Sequence, residues 1–301
     1  MAASSRRWSP GRRKRQAWLT AGLFLLPAIA LYLVFAFIPT LEVFEYSLNR
    51  WDGISPDREW VGLGNYDRLF GDRIFWEAFF NTVEWTAIIV VINVGLGVVL
   101  AAILARKIKG RIFFQTCMFI PVIQAPITTA IIWRWMYQPN GAINEGLNAI
   151  GLGFLATPWL GDLTTALPAL AIAHSWSTLG LSIVIFLAGL QAVDDELYDA
   201  AKIDGATPVQ AFWYITLPAL RPVTAVVFVL TATAAFKAFD LIWGTTQGGP
   251  IRATEILATY MYKRGVLENN YGYGSAVAVA LLVIVTLAMA VYLYMQARRD
   301  D

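Results

Sequence analysis

The chain has 301 residues, of which 57% are hydrophobic and 15% charged, with a formal net charge of +2 and a mean hydropathy of +0.56. A soluble globule needs about 25% charged residues to solvate its skin, so this composition excludes a water-soluble fold, disorder and a collagen-like chain. One cysteine (Cys117) and one histidine (His174) exclude an internal disulfide and a zinc or haem site, and so small a charge excludes nucleic-acid binding.

A bilayer core of about 30 Å is crossed by about 20 apolar residues in a helix, and six segments qualify. They are Trp18–Ile38, Trp85–Leu104, Cys117–Tyr137, Ala166–Leu190, Val223–Trp243 and Ser275–Met295. Helices are expected because lipid offers no partner to a free backbone donor and the alternation of a β-barrel is absent. The fold class is therefore an all-α polytopic membrane protein with six transmembrane helices.

Residues 1–17 form a basic tail, followed by the first span at 18–38. An Ala28-Ile29-Ala30 triplet raises the possibility of a cleaved signal peptide, but the apolar run continues to Ile38, too long for one, so the span is expected to be retained. Residues 39–79 form an outer loop whose Trp51, Trp60, Tyr66 and Trp76 suit an interfacial belt. Arg and Lys concentrate in the tail (Arg6, Arg7, Arg12, Arg13, Lys14, Arg15), after span two (Arg106, Lys107, Lys109, Arg111), after span four (Lys202, Arg221) and at the end (Arg298, Arg299). They are sparser on the other side, so both termini, with the last tail at 297–301, are expected to be cytoplasmic.

Span three carries Pro121, Gln124 and Pro126, which interrupt helix geometry and free carbonyls beside a presumed cavity, and Arg134 near its outer end is expected to snorkel or pair. Span four opens with His174-Ser175-Trp176-Ser177-Thr178. Those hydroxyls and the indole suit a sugar, or else they join helices to one another. Lys237 and Asp240 in span five lie at i,i+3 and are expected to form an ion pair near the outer interface, with direct sugar contact as the alternative.

The cytoplasmic loop at 191–221, between spans four and five, encodes two short helices. Asp194 caps the first, Asp195 and Glu196 suit its positive end, and Gly205 stops it. Thr207 caps the second with Pro208 behind it and Gln210 closing a capping box. The second helix presents Ala211, Phe212, Tyr214, Ile215 and Leu217, an apolar surface suited either to lipid headgroups or to a cytoplasmic partner.

The stretch from Asp199-Ala200-Ala201-Lys202-Ile203-Asp204-Gly205-Ala206 to Phe212 and Ile215-Thr216-Leu217-Pro218 resembles the EAA motif of permease subunits in bacterial binding-protein-dependent ABC importers. Gly62-Leu63-Gly64-Asn65-Tyr66, Ile120-Pro121, Trp133-Arg134-Trp135, Leu187-Ala188-Gly189-Leu190 and Thr246-Gln247-Gly248-Gly249-Pro250 are similar to the carbohydrate-uptake branch, and from Phe24 onward the chain resembles the maltose-transporter-type first permease subunit. At the motif's leading glutamate stands Asp199, one methylene shorter.

The resemblance implies that 80–296 is a type-1 ABC importer transmembrane domain in a bacterial inner membrane. It implies coupling to an ATPase through Asp199, Ala200, Ala201, Asp204, Gly205 and Phe212. It places solute contacts at Val122 and Pro126, at His174, Ser177, Thr178 and Leu181, and at Ala235 and Ala238, with Gln124 and Trp176 added from the residues themselves. Ala235 and Ala238 are small and apolar where maltose-type members are polar, so the pocket is expected to differ. The implied partners are a second homologous permease, two ATP-binding subunits and an extracytoplasmic solute-binding protein. The implied solute is a sugar, with a glycerol-phosphate compound as the alternative. The chain has no Gly-x-x-x-x-Gly-Lys-Ser/Thr loop, so it is expected not to be an enzyme, to bind no metal or cofactor itself, and to leave ATP and Mg to the partner ATPase. A stand-alone secondary transporter would need paired inverted repeats or intramembrane acids, of which only Asp240 lies deep enough.

Overall fold

The computed structural model describes residues 10–106 and 109–300. Lys107 of the basic loop and most of the basic tail's arginines fall outside the described residues or in a part of α1 whose side chains are not described. Among the described residues the one sheet is an antiparallel pair, β1 (Asn49–Arg50) and β2 (Glu59–Trp60).

The first helix is longer than the sequence suggests. α1 (Pro10–Tyr32) passes through a π-helical turn, Leu33–Phe37, into α2 (Ile38–Ser47), with Pro39 at the start of α2, where a missing N–H is tolerated. The expected loop at 39–79 is thus helical at both ends, since α4 already begins at Arg73. From Thr20 to Phe35 every residue is exposed, whereas α2 packs on α16. α3 (Gly64–Gly71) is fastened by Asn65, whose Nδ2 donates to the carbonyls of Ser47 (2.8 Å) and Asn49 (2.9 Å).

α4 (Arg73–Val90), a π-helical turn at Val91–Leu96 and α5 (Gly97–Ala105) make one 33-residue rod. Its first turns bury Phe75, Ala78 and Thr82 and leave Arg73 and Glu84 exposed. Asp72 caps it, accepting from the Ile74 N–H at 2.8 Å.

The third expected span is broken. α6 (Arg111–Phe119) and a 3-10 turn, Ile120–Ile123, meet α7 (Pro126–Met136) at 103°. Gln124 and Ala125 are extended between them, as the residue before a proline prefers. α8 (Ala142–Ala149) lies in the following connection, and α9 spans Ala166–Leu190, 25 residues with the expected bounds.

α10 (Asp195–Ile203), α11 (Pro208–Ala211), a π-helical turn at Phe212–Thr216 and α12 (Leu217–Ala219) form an elbow, bent by 71° into α13 (Arg221–Phe236). The fifth expected span stops at Phe236 instead of Trp243. Lys237 leaves the helix with φ −93° and ψ 0°, and α14 (Asp240–Thr245) begins anew. The i,i+3 geometry is therefore lost, and among the described residues no ion pair joins Lys237 to Asp240. α15 (Leu257–Tyr262) and a π-helical turn at Lys263–Leu267 lead to α16 (Tyr271–Asp300).

Among the described residues four helices are long and apolar enough to cross a membrane, and the two bent pairs raise the number to six if each counts as one. Three buried clusters hold them together: Trp85, Ile89, Leu170 and Ile242; Leu69, Phe75, Tyr260 and Tyr273; and Val98, Phe186, Leu220 and Val227.

Candidate functional site

The elbow is capped at every free end. Asp194 accepts from the Glu196 N–H at 3.0 Å. At the other end of α10, Gly205 takes φ +76°, the left-handed region that only glycine enters without strain. The Ala206 N–H then reaches the Ala201 carbonyl (2.8 Å) and the Gly205 N–H the Lys202 carbonyl (3.1 Å), a Schellman closure. Thr207 and Gln210 form the reciprocal capping box, with the Thr207 N–H on Gln210 Oε1 at 2.8 Å. Tyr198 and Thr216 hydroxyls meet at 3.0 Å and bolt α10 to the second helix.

The residues assigned to coupling divide. Asp199, Ala200, Asp204 and Gly205 are exposed, and Ala201 is half-buried. Asp199 forms an exposed ion pair with Lys202 at 2.7 Å, so its carboxylate already has a cation of its own chain. Phe212 departs from its assignment to the open apolar face: with Leu217 it packs inward on the Val98–Phe186–Leu220 cluster. Four apolar side chains that the sequence reading left out of the coupling set stand out instead: Ile203 (87% exposed), Val209, Trp213 and Tyr214. For Val209 and Trp213 the signal was their i,i+4 spacing, which sets both on one helical face.

Inside the membrane body, α9 sits against the bend of the broken span. A Cβ on Gly180 would lie 2.9 Å from Val122 Cγ2 and 3.0 Å from Phe119 Cα, so the glycine permits this approach. The His174 ring packs on Trp85 with centroids 5.3 Å apart, and Trp176 meets Trp133 edge-on at 5.7 Å. Trp133 in turn packs at a tilt on Tyr137 at 5.1 Å, whose hydroxyl donates to the Ala169 carbonyl. His174, Ser177 and Thr178 are half-buried and Leu181 is exposed. Both hydroxyls donate to the His174 carbonyl, Ser177 at 2.8 Å and Thr178 at 3.0 Å.

Val122 and Gln124 are half-buried at the break and Pro126 is exposed. Ala235 departs from the expected solute face: it is fully buried, with its carbonyl taken by Trp85 Nε1 at 3.1 Å. Ala238 is half-buried and packs on the Trp85 cluster. Asn93 was missed. It is 1% exposed, lies in the π-helical turn of the α4–α5 rod, and its Nδ2 donates to Thr178 Oγ1 at 2.8 Å. An asparagine in an otherwise apolar span was its signal.

At the start of α4, Asp72 gathers the Tyr260 hydroxyl (2.5 Å), the Tyr273 hydroxyl (3.1 Å) and, more loosely, Arg264 Nη2 at 3.7 Å. Partial burial works against the Asp72 carboxylate, but these hydroxyls, the Ile74 N–H and Arg264 outweigh it and hold its pKa below the usual range. Nearby, Glu255 is buried and receives Lys263 Nζ at 2.9 Å. Asn81 Nδ2 holds the carbonyls of Arg252 (3.1 Å) and Glu255 (3.0 Å), which braces the loop after Thr246-Gln247-Gly248-Gly249-Pro250.

Comparison with known proteins places this geometry. A family model described as "Binding-protein-dependent transport system inner membrane component" matches residues 93–301. The chain is 38% identical over 253 residues to the probable ABC transporter permease protein YurN of Bacillus subtilis (strain 168), covering 83% of this chain and 86% of that one. It is 37% identical over 246 residues to the trehalose/maltose transport system permease protein MalF of Thermococcus litoralis, covering 81% and 83%. A subunit in the crystal structure of a bacterial ABC transporter involved in the import of the acidic polysaccharide alginate superposes with a TM-score of 0.82 at 23% identity, covering 96% of this chain and 99% of that one.

Proposed function

The chain belongs to the family of binding-protein-dependent transport system inner membrane components, and on that premise we propose that it forms half of the passage of an ATP-driven sugar importer. A second, homologous permease completes the passage, two ATP-binding subunits hold ATP and Mg, and an extracytoplasmic solute-binding protein delivers the sugar. The elbow lies on the cytoplasmic side together with both termini, in keeping with the distribution of Arg and Lys.

One observation carries this reading. The elbow is stiff and capped, yet it presents Ile203, Val209, Trp213 and Tyr214 uncovered. A solvated connector has no use for such side chains, whereas a lever seated in a partner does. In this reading Asp199, Ala200, Ala201, Asp204 and Gly205 frame the seat, while Phe212 anchors the lever to the helices it moves.

The sugar reading draws on the relative that carries trehalose and maltose in its name and on the hydroxyl and indole groups of α9. Gln124 and Pro126 at the break, with His174, Trp176, Ser177, Thr178 and Leu181 on α9, line the passage. The test is reconstitution of the whole assembly in proteoliposomes, with labelled disaccharides outside and ATP inside. Uptake that requires ATP and the binding protein supports the reading; uptake driven by an ion gradient in the isolated chain refutes it.

A further inference from the structure

α9 keeps one partly open face at His174, Ser177, Thr178 and Leu181, residues one and two helical turns apart. The protons of both hydroxyls there are committed, because Ser177 Oγ and Thr178 Oγ1 each donate to the His174 carbonyl. A hydroxyl has one proton and two acceptor lone pairs. With its proton on His174, Thr178 Oγ1 meets the Asn93 amide as acceptor, at 2.8 Å from Nδ2. What remains for a solute is acceptor capacity only: both lone pairs of Ser177 and one of Thr178.

Asn93 has no packing reason to be polar. It is buried in an apolar rod, its own Oδ1 has no partner, and it sits in a π-helical turn, a distortion that concentrates at functional sites. Its one hydrogen bond across to α9 is the Thr178 contact, which the π-turn aims at that helix.

We propose that Asn93 is a positioning residue: by donating to Thr178 it holds that hydroxyl's proton on the His174 carbonyl and so fixes Thr178, beside Ser177, as an acceptor, so that the passage favours solutes that donate hydrogen bonds, neutral polyhydroxyl compounds, over anionic ones. A sugar hydroxyl can donate to these lone pairs. A phosphate or carboxylate brings only lone pairs of its own and meets repulsion. The inference rests on the importer reading above and adds the donor–acceptor polarity of the passage.

The test uses the complete assembly with its binding protein in proteoliposomes. The probes are labelled maltose, trehalose and lactose as neutral solutes, with glycerol 3-phosphate and digalacturonate as anionic ones. Each variant is expressed relative to wild type for the same solute, so the binding protein's own selectivity cancels. Asn93→Leu and Thr178→Val should each lower the maximal rate for the fastest neutral sugar about three- to tenfold, with the half-saturating concentration unchanged and anionic uptake not lowered. The double variant should fall no further than Thr178→Val alone, and Thr178→Ser should behave as wild type.

An unchanged neutral rate in Asn93→Leu overturns the proposal. So does an equal fall for neutral and anionic solutes accompanied by a lower unfolding temperature, which marks a packing role. Thr178→Val without effect shows that α9 is not on the passage and leaves Asn93 nothing to position. Wild-type assembly that moves none of the neutral sugars sinks the sugar reading itself, before any variant is compared.

Discussion

The hydroxyls of Tyr198 and Thr216 lie 3.0 Å apart and join the two halves of the elbow, α10 and the π-turn that follows α11. Thr216 is 4% exposed, so this bond forms in a poorly solvated place, where losing one partner strands the other. Tyr198→Phe should weaken the joint by about 1 kcal/mol and loosen the lever without abolishing its fold. The expected result is an intact purified assembly in which sugar uptake per ATP hydrolysed falls. Unchanged stoichiometry would remove the joint from the mechanism.

Gly205 offers a second way to disturb the elbow. Nothing lies within 4 Å of a Cβ placed there, so the cost of substitution is backbone strain at φ +76° and not collision. Gly205→Val should cost about 1–2 kcal/mol and open the Schellman closure of α10. Uptake and binding-protein-stimulated ATPase activity should fall together, and unchanged values of both would count heavily against the lever.

Gly180 tests the seam between α9 and the broken span. A Cβ there would overlap the Met118 carbonyl as well as approach Val122. Gly180→Ala should push α9 away from the bend at about 1–3 kcal/mol, visible as a lower unfolding temperature of the purified chain.

Asp72 gives the end of the molecule at the start of α4 a pH dependence of known sign. Its folded carboxyl pKa lies below the unfolded value of about 3.9, so its stabilising contribution is present above that value and is lost as the pH falls through the lower folded one. Asp72→Asn should therefore lower the unfolding temperature at pH 7, and the difference from wild type should shrink as the pH drops below about 4. A difference that grew with acidification would contradict the hydrogen-bonded carboxylate.

Local chemistry was the most legible part of the sequence. Asp194, Gly205 and the Thr207–Gln210 box act through neighbours a few residues away, and Ala166–Leu190 is an uninterrupted apolar run, so both emerged as read. Features set by distant contacts were not. Arg73 and Glu84 look like the end of a loop until Phe75 and Ala78 are seen buried on the opposite face of the same helix. The turn after Lys237 carries no glycine or proline to announce it. Phe212 was grouped with the apolar surface of the second helix, and only the packing of distant α5 and α9 residues turns it inward. Asn93 went unremarked since its meaning lies in Thr178, 85 residues away.

The central claim is that the elbow seats in a nucleotide-hydrolysing partner. Ile203, 87% exposed at the end of α10, is the place to ask. With p-benzoylphenylalanine in place of Ile203, irradiation of the assembly in its native membrane should yield a covalent adduct with an ATP-binding subunit, and ATP should alter its yield. An assembly that still imports sugar while position 203 attaches only to lipid would contradict the account.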